Sequence, residues 1–276
     1  MSLATVMAIV NRTPDSFYDK GATFGLDTAL QRCDEVIAAG AGIIDVGGVK
    51  AGPGEAVDAQ EEIDRVVPIV TAVHRRHPSA LISVDTWRAS VAQEAIAAGA
   101  GLINDTWAGW DPELVEVAGH NRVGYVCSHT GGAVPRTRPH RVHYDDVVAE
   151  VIAETTRQAE RAASLGCPEA LTFIDPTHDF GKNTFHGLEL LRRVEELVAT
   201  GWPVLMALSN KDFVGETLDR PVGERLAGTL AATAWCAARG VAAFRAHEVT
   251  ETIDVIRMTA AIAGDMAPLH TTRGLA

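Results

Sequence analysis

The sequence predicts a single α/β domain over residues 1–276, folded as a (β/α)8 TIM barrel. Short apolar runs recur along the chain, and each is followed by polar residues and then by a segment with apolar residues at steps of three and four. There are eight such units, and 276 residues match the roughly 250 residues typical of this barrel. A doubly wound open sheet is the alternative, but it usually has fewer strands.

Each apolar run has the length of one strand. The runs lack a strict alternation of apolar and polar residues, which is typical of strands buried on both faces of a parallel sheet. In chain order they are VMAIV (6–10), GIIDV (42–46), LISV (81–84), GLIN (101–104), VGYVC (123–127), LTFI (171–174), PVLMAL (203–208) and AAFR (242–245).

The segments between the runs have helical spacing. The phrase AAGAG occurs at 38–42 and at 97–101, where its first glycine ends one helix before the next strand begins. Helices are also expected over residues 87–98, 222–239 and 249–262. The apolar stripe of the helix after the first strand is formed by Leu26, Leu30, Cys33 and Ile37.

Composition favours a cytoplasmic enzyme of small molecules. The 24 basic and 36 acidic residues leave a net charge of -12, which disfavours nucleic acid as a partner. No signal peptide and no apolar stretch of about 20 residues is present, so a membrane partner is not expected. The cysteines form no CxxC pair, which indicates reduced thiols rather than a zinc site or a disulfide framework; they are Cys33, Cys127, Cys167 and Cys236.

Polar residues follow the predicted strands, and in a parallel barrel these strand ends meet at one face. Three of them, Asp85, Asn104 and Asp175, have the donors and acceptors to bind the edge of a planar heterocycle. Lys211 suits a ring carbonyl, and the flat guanidinium of Arg245 suits stacking on the ring. The remaining strand-end residues are Asn11 and His247, placed at the rim for anions or a metal, with Asp45, Asp105 and His129.

Ordinary structural roles would also account for several of these residues. Asp85 could cap the helix expected over residues 87–98, and Lys211 could be a solvated loop lysine. The segment Thr13, Pro14 and Asp15 could form a tight turn.

Seven phrases in order resemble the dihydropteroate synthase family, the pterin-binding enzymes of folate biosynthesis, and within it a divergent second homologue of actinobacteria. The resemblance covers nearly the whole chain. The phrases are VMAIVNRTPDSFYDKG (6–21), IIDVGG (43–48), ISVDTWRASVA (82–92), INDTWAG (103–109), IDPTHDFGKN (174–183), LSNKDFVG (208–215) and FRAHEV (244–249).

The resemblance implies a transferase that joins 4-aminobenzoate to a dihydropterin hydroxymethyl diphosphate and releases pyrophosphate with the help of Mg²⁺. It implies that Asp85, Asp175 and Lys211 act in catalysis and, with Asn104 and Arg245, hold the pterin. Departure of pyrophosphate leaves positive charge on the pterin methylene, which carboxylates would stabilise.

The same resemblance assigns the diphosphate and the metal. Asn11, Arg245 and His247 would contact the diphosphate, and Asn11 would also serve the magnesium ion. A homodimer formed through helices late in the chain is also implied.

The second loop departs from the family. The family usually reads GGESTRPGA, whereas this chain reads GGVKAGPGE, so that Gly52 stands where an arginine meets the diphosphate. Loss of such a contact can cost on the order of 3 kcal/mol, about a hundredfold in rate. The cations that could compensate are Lys50, Arg136 and Arg138.

A second departure lies at LSNKD (208–212), where the family commonly has SRKS. Asn210 stands for an arginine, and Asp212 stands for the serine that receives the aminobenzoate carboxylate. A carboxylate at that position would repel the incoming one, so we expect weak or lost synthase activity. In the first loop Arg12 and Lys20 add positive charge.

The sequence also allows three alternatives to a dihydropteroate synthase-like transferase. The chain could be a pterin-binding pseudoenzyme or a partner-binding regulator. It could also be a barrel lyase that uses Lys211 as a Schiff-base nucleophile. Folate-binding methyltransferases are related barrels, but the NRTPDSF loop (11–17) argues against them.

Overall fold

The computed structural model describes residues 3–12, 25–137 and 143–273. Eight parallel strands lie in the order β6-β5-β4-β3-β2-β1-β8-β7, and a bridge between Ile174 and Val204 joins the two end strands into a nearly closed barrel. The predicted barrel is therefore confirmed. The strands are β1 (Thr5–Asn11), β2 (Ile43–Gly47), β3 (Leu81–Asp85), β4 (Leu102–Asp105), β5 (Gly124–Ser128), β6 (Thr172–Asp175), β7 (Leu205–Met206) and β8 (Ala243–Ala246).

Helices alternate with these strands and surround the barrel. They are α1 (Leu26–Ala39), α2 (Ala59–Arg76), α3 (Ala89–Ala97), α4 (Leu114–His120), α5 (Val147–Leu165), α6 (Thr184–Arg192), α7 (Val194–Val198), α8 (Asp212–Leu218), α9 (Leu226–Ala237) and α10 (Val249–Ala263). None of the described helices is long and apolar enough to cross a membrane.

Two predicted helices begin later than expected. The helix expected over residues 87–98 begins at Ala89, because Arg88 is extended at its amino end. The helix expected over residues 222–239 begins at Leu226, and the short helix α8 precedes it after β7. The glycine predicted to end α1, Gly40, does so in the left-handed conformation with φ of 104°.

The strands separate two apolar layers. Side chains alternate between the two faces of a strand, so one set fills the barrel and the other packs under the helices. Val6, Ala8 and Val10 of β1, for example, belong to the outer layer. The inner layer is Met7, Ile43, Leu102, Val126, Phe173, Leu205 and Ala243.

Candidate active site

A cavity of about 370 Å³ opens at the carboxyl ends of the strands. Five of the predicted site residues line it, namely Asn11, Asp85, Lys211, Arg245 and His247. The other two, Asn104 and Asp175, lie at the carboxyl ends of β4 and β6, which flank β5, and are only 3% and 5% exposed. The barrel thus brings the predicted residues to one end of the molecule.

Strand periodicity explains which side chains point to this end. Asp45, Asn104, Asp175 and Arg245 each lie two residues after a member of the inner layer, so they share its inward direction. His129 instead lies two residues after Cys127 and four after Tyr125, which both belong to the outer layer, so it shares the outward direction. Counting two-residue steps along β5 in the sequence would therefore have shown that His129 points away from the cavity.

Arg245 is held between two carboxylates. Its Nε donates to Oδ2 of Asp45 at 2.6 Å, and its Nη2 donates to Oδ2 of Asp85 at 2.9 Å. Asp45 is fully buried and also accepts from Ser83 Oγ at 2.6 Å and from Asn104 Nδ2 at 3.1 Å. These bonds fix the plane of the guanidinium beside the cavity.

Asp85 is the partly open carboxylate of this network. Its Oδ1 accepts from Thr106 Oγ1 at 2.8 Å. Burial raises the pKa of Asp85 to about 7, with Arg245 opposing the rise and Asp45 adding to it. The alternative role as a helix cap is wrong, because the first amide of α3 donates to Asp111 instead.

Asp175 and Lys211 are electrostatic neighbours, and Lys211 lines the cavity. Asp175 Oδ1 accepts from the amide of Thr177 at 2.7 Å, and burial raises its pKa. Lys211 Nζ donates to the carbonyl of His178 at 3.0 Å and lies 4.9 Å from the centre of the Phe180 ring. Burial lowers the pKa of Lys211.

Lys182 is a cavity residue that was not among the predicted ones. Its Nζ donates to three carbonyl oxygens, those of His129 at 2.7 Å, Phe180 at 3.0 Å and Thr177 at 3.4 Å. Burial lowers its pKa to about 7. The Lys182 side chain therefore holds the loop after β6 in place. Lys182 belongs to the phrase IDPTHDFGKN, so the sequence could have indicated it as a site residue.

The second loop borders the cavity with Lys50 and Gly52 among its lining residues. Arg136 does not replace the missing arginine there, because its guanidinium contacts the carbonyls of Gly52 and Glu55 and so holds the loop backbone. Arg138 lies outside the described residues, as do Thr13, Pro14, Asp15 and Lys20. Of the compensating cations in the described residues, Lys50 is the one that lines the cavity.

Arg12, the extra cation of the first loop, also contacts backbone. Its Nη1 donates to the carbonyl of Arg65 at 2.8 Å, and Nη1 of Arg65 donates to the carbonyl of Gly48 at 2.9 Å. The pKa of Arg12 is lowered by burial and by the neighbouring Arg65. These two arginines support the base of the second loop.

The amino end of α8 is already capped by a carboxylate of the chain. Asp179 accepts from the amide of Asp212 at 2.6 Å and from that of Phe213 at 3.4 Å. The Asp212 carboxylate pairs with Arg225 Nη1 at 2.9 Å. The side chain of Asn210 turns away to Glu248, with Nδ2 donating to Oε1 at 2.7 Å.

Asp105 has a structural role instead of a place in the cavity. Its fully buried carboxylate accepts from Tyr125 Oη at 2.6 Å, from the amide of Gly109 at 2.6 Å and from that of Trp107 at 3.0 Å. Those bonds fix the turn after β4.

The arrangement defines the class of protein. A barrel with buried carboxylates, an amide and a clamped arginine at its carboxyl end suits a flat, polar heterocycle. Residues 7–247 match the family described as pterin binding enzyme. The chain belongs to this family, as its motifs predicted.

The relatives place it more narrowly. It is 59% identical over 275 residues to inactive dihydropteroate synthase 2 of Mycobacterium leprae (strain TN), a match that covers 98% of this chain and 94% of that protein. The Yersinia pestis dihydropteroate synthase with a sulfonamide drug has a TM-score of 0.88 and 35% identity, covering 96% of this chain and 95% of that one. The Xanthomonas albilineans dihydropteroate synthase in complex with 7,8-dihydropteroate has a TM-score of 0.82 and 35% identity, covering 95% and 94% of the two chains.

Proposed function

We propose that the protein binds a dihydropterin in this cavity and that its dihydropteroate synthase activity is weak or lost. The observation that carries the proposal is the amino end of α8, where Asp179 caps the helix and Asp212 is paired with Arg225. An incoming 4-aminobenzoate carboxylate would meet two carboxylates there. The name of the Mycobacterium leprae relative supports the loss of activity.

The pterin half of the proposal rests on the network around Arg245. Asp85, Asn104, Asp175 and Lys211 would hydrogen-bond the edge of the ring, and the guanidinium of Arg245 would stack on its face. Asp85, Asp175 and Lys211 would also serve catalysis in a competent enzyme, because the carboxylates would stabilise positive charge on the methylene. The dihydropteroate in the Xanthomonas albilineans structure supports this choice of ligand class.

The diphosphate would lie toward Asn11, His247 and Lys50 at the rim, with Arg245 behind it. The carboxamide oxygen of Asn11 lies beside Gly47. A Cβ atom at residue 47 would be 3.3 Å from this oxygen, and glycine has none. A single neutral oxygen suits Mg²⁺ that takes its other ligands from water and the diphosphate. Magnesium, when bound, would supply positive charge to the departing pyrophosphate.

A sequential calorimetric titration tests the proposal. The pterin diphosphate with Mg²⁺ is added first and 4-aminobenzoate second. We expect a saturable first binding step and little or no heat in the second. Absence of the first step would overturn the pterin assignment, whereas a strong second step would overturn the assignment of α8.

A pterin-binding pseudoenzyme is the second candidate, and the cap of Asp179 on α8 favours this hypothesis. In that case the cavity binds pterin and no condensation follows. A Schiff base at Lys211 is less well supported, because Nζ already donates to His178 O. Borohydride trapping with a carbonyl substrate would detect one.

The association state is part of the proposal. A homodimer would cover apolar side chains that α9 and α10 expose, namely Trp235, Met258 and Ile262, which are 45%, 62% and 76% exposed. Sedimentation velocity would give the mass directly. The proposal also includes one pterin-binding domain over residues 1–276 and a cytoplasmic location, which the four buried free thiols support.

A further inference from the structure

A second cluster of charged residues lies behind the cavity wall. His129 follows β5, points into the outer layer and is fully buried. Glu150 and Glu154 lie one turn apart on α5. Nε2 of His129 is 3.6 Å from Oε1 of Glu150 and 3.6 Å from Oε2 of Glu154.

The imidazole has no hydrogen bond within the described part of the chain. Neither Nδ1 nor Nε2 of His129 has a hydrogen-bond partner among the described residues. A distance of 3.6 Å is too long for a hydrogen bond to either glutamate. A buried polar group without a hydrogen bond destabilises the folded state, so the ring nitrogen is suited to binding a ligand.

The spacing of the three groups suits a metal ion. One ligand atom from each of His129, Glu150 and Glu154 can be chosen so that all three lie within 4.8 Å of one another. Zinc bonds to imidazole nitrogen and carboxylate oxygen are about 2.0–2.2 Å long, which places tetrahedral ligands roughly 3.3–3.6 Å apart. Small side-chain rotations would bring the group to that spacing.

Charge and access agree with this interpretation. Nε2 of His129 lies on the side of the two glutamates, and an imidazole nitrogen is a common metal ligand. The two glutamates bring two negative charges, and their side chains are 44% and 40% exposed, which gives an ion a route from solvent. A divalent cation would balance both carboxylates.

We propose that His129, Glu150 and Glu154 form a binding site for a zinc-type divalent cation, separate from the magnesium position proposed at Asn11. Water would complete the coordination. The ion would tie α5 to the end of β5, where the carbonyl of His129 also accepts from Lys182 at the cavity. Its role would be to stabilise the barrel wall.

Calorimetry on chelator-treated full-length protein tests the site with Zn²⁺ itself and with Mg²⁺. We expect one Zn²⁺ per chain, bound more tightly than Mg²⁺, and a higher Tm with zinc. The double variant Glu150→Gln/Glu154→Gln should lose at least about tenfold in zinc affinity and its zinc-dependent rise in Tm, because both carboxylate ligands are gone. Glu160→Gln, an exposed change on the same helix, should keep both.

X-ray absorption of the zinc-loaded protein gives the ligands directly. Imidazole multiple scattering from one histidine, with nitrogen or oxygen ligands at about 2.0–2.2 Å, would support the site. Zinc that binds the double variant as tightly as the wild type, or a stronger preference for Mg²⁺, would overturn it. The melting curve of the metal-free double variant shows whether it is folded.

Discussion

At the scale of single residues, the site depends on two carboxylates that share one arginine. Arg245 bridges Asp45 and Asp85. Ser83 donates to the other oxygen of Asp45, Oδ1, and Asn104 donates to Oδ2, which also accepts from Arg245. This arrangement keeps two like charges side by side at the inner end of the cavity. Burial raises the pKa of Asp85 to about 7, with Arg245 opposing the rise and Asp45 adding to it, so ligand binding should depend on pH.

Pterin affinity should rise as pH rises toward 8. The ring N–H groups need an ionised acceptor, and Asp85, with a pKa of about 7, is mostly protonated below that value. Titrations of a pterin between pH 5.5 and 8 should show affinity that falls about tenfold per unit well below pH 7. Asp85→Asn should bind weakly at every pH without that slope, whereas an unchanged slope in this variant would assign the effect to another group.

At the scale of elements, the second loop and α8 account for the expected loss of catalysis. The loop borders the cavity with Lys50 and Gly52, and Arg136 holds its backbone through two carbonyls. The helix begins with its amides already bonded to Asp179. By the resemblance, Gly52 in the second loop and Asp212 in α8 are the positions where a charge contact to a substrate would be lost.

Gly52→Arg should restore affinity for the diphosphate. A guanidinium at this lining position would offer paired donors to phosphate oxygens, a gain of up to about 3 kcal/mol, or roughly a hundredfold. Binding of the pterin diphosphate, compared with the pterin that lacks it, measures the gain. Gly54→Arg adds the same charge at a position that does not line the cavity, and an equal gain there would mean a general charge effect.

Removing the two carboxylates at α8 should admit 4-aminobenzoate. In Asp179→Asn/Asp212→Ser the cap loses its charge and the repulsion disappears, so we expect at least about tenfold tighter binding to the pterin-loaded protein. The variant Glu216→Gln/Asp219→Asn removes two acidic groups elsewhere along α8 and at its end and serves as the control. Unimproved binding in the first variant would contradict the role given to Asp179.

Sequence patterns predicted the strands but not the cap of Asp179 on α8. The eight runs were recognisable because buried parallel strands are continuously apolar, and the site followed because their carboxyl ends meet. The contact of Asp179 with α8 joins residues 33 positions apart, and it depends on a left-handed turn with φ of 69° that no periodicity reveals. The helix start at Asp212 was expected from the resemblance alone, because the seven residues of α8 carry little periodic signal.

At the scale of the whole molecule, one barrel carries two separable sets of features. The inward residues of β2, β3, β4, β6 and β8 form a polar floor suited to a pterin. Beside them, the second loop has Gly52 where the resemblance places an arginine, and the first amides of α8 are bonded to Asp179. A barrel tolerates this separation because its core and its loops are built from different residues.

We propose that pterin binding persists while condensation is weak or lost. Incorporation of labelled 4-aminobenzoate into dihydropteroate tests it most directly, measured with Mg²⁺ beside the Yersinia pestis dihydropteroate synthase at equal protein concentration. We predict a kcat/KM at least about a hundredfold lower, since one lost transition-state contact alone accounts for that factor. Turnover equal to that of the Yersinia pestis enzyme would contradict the claim.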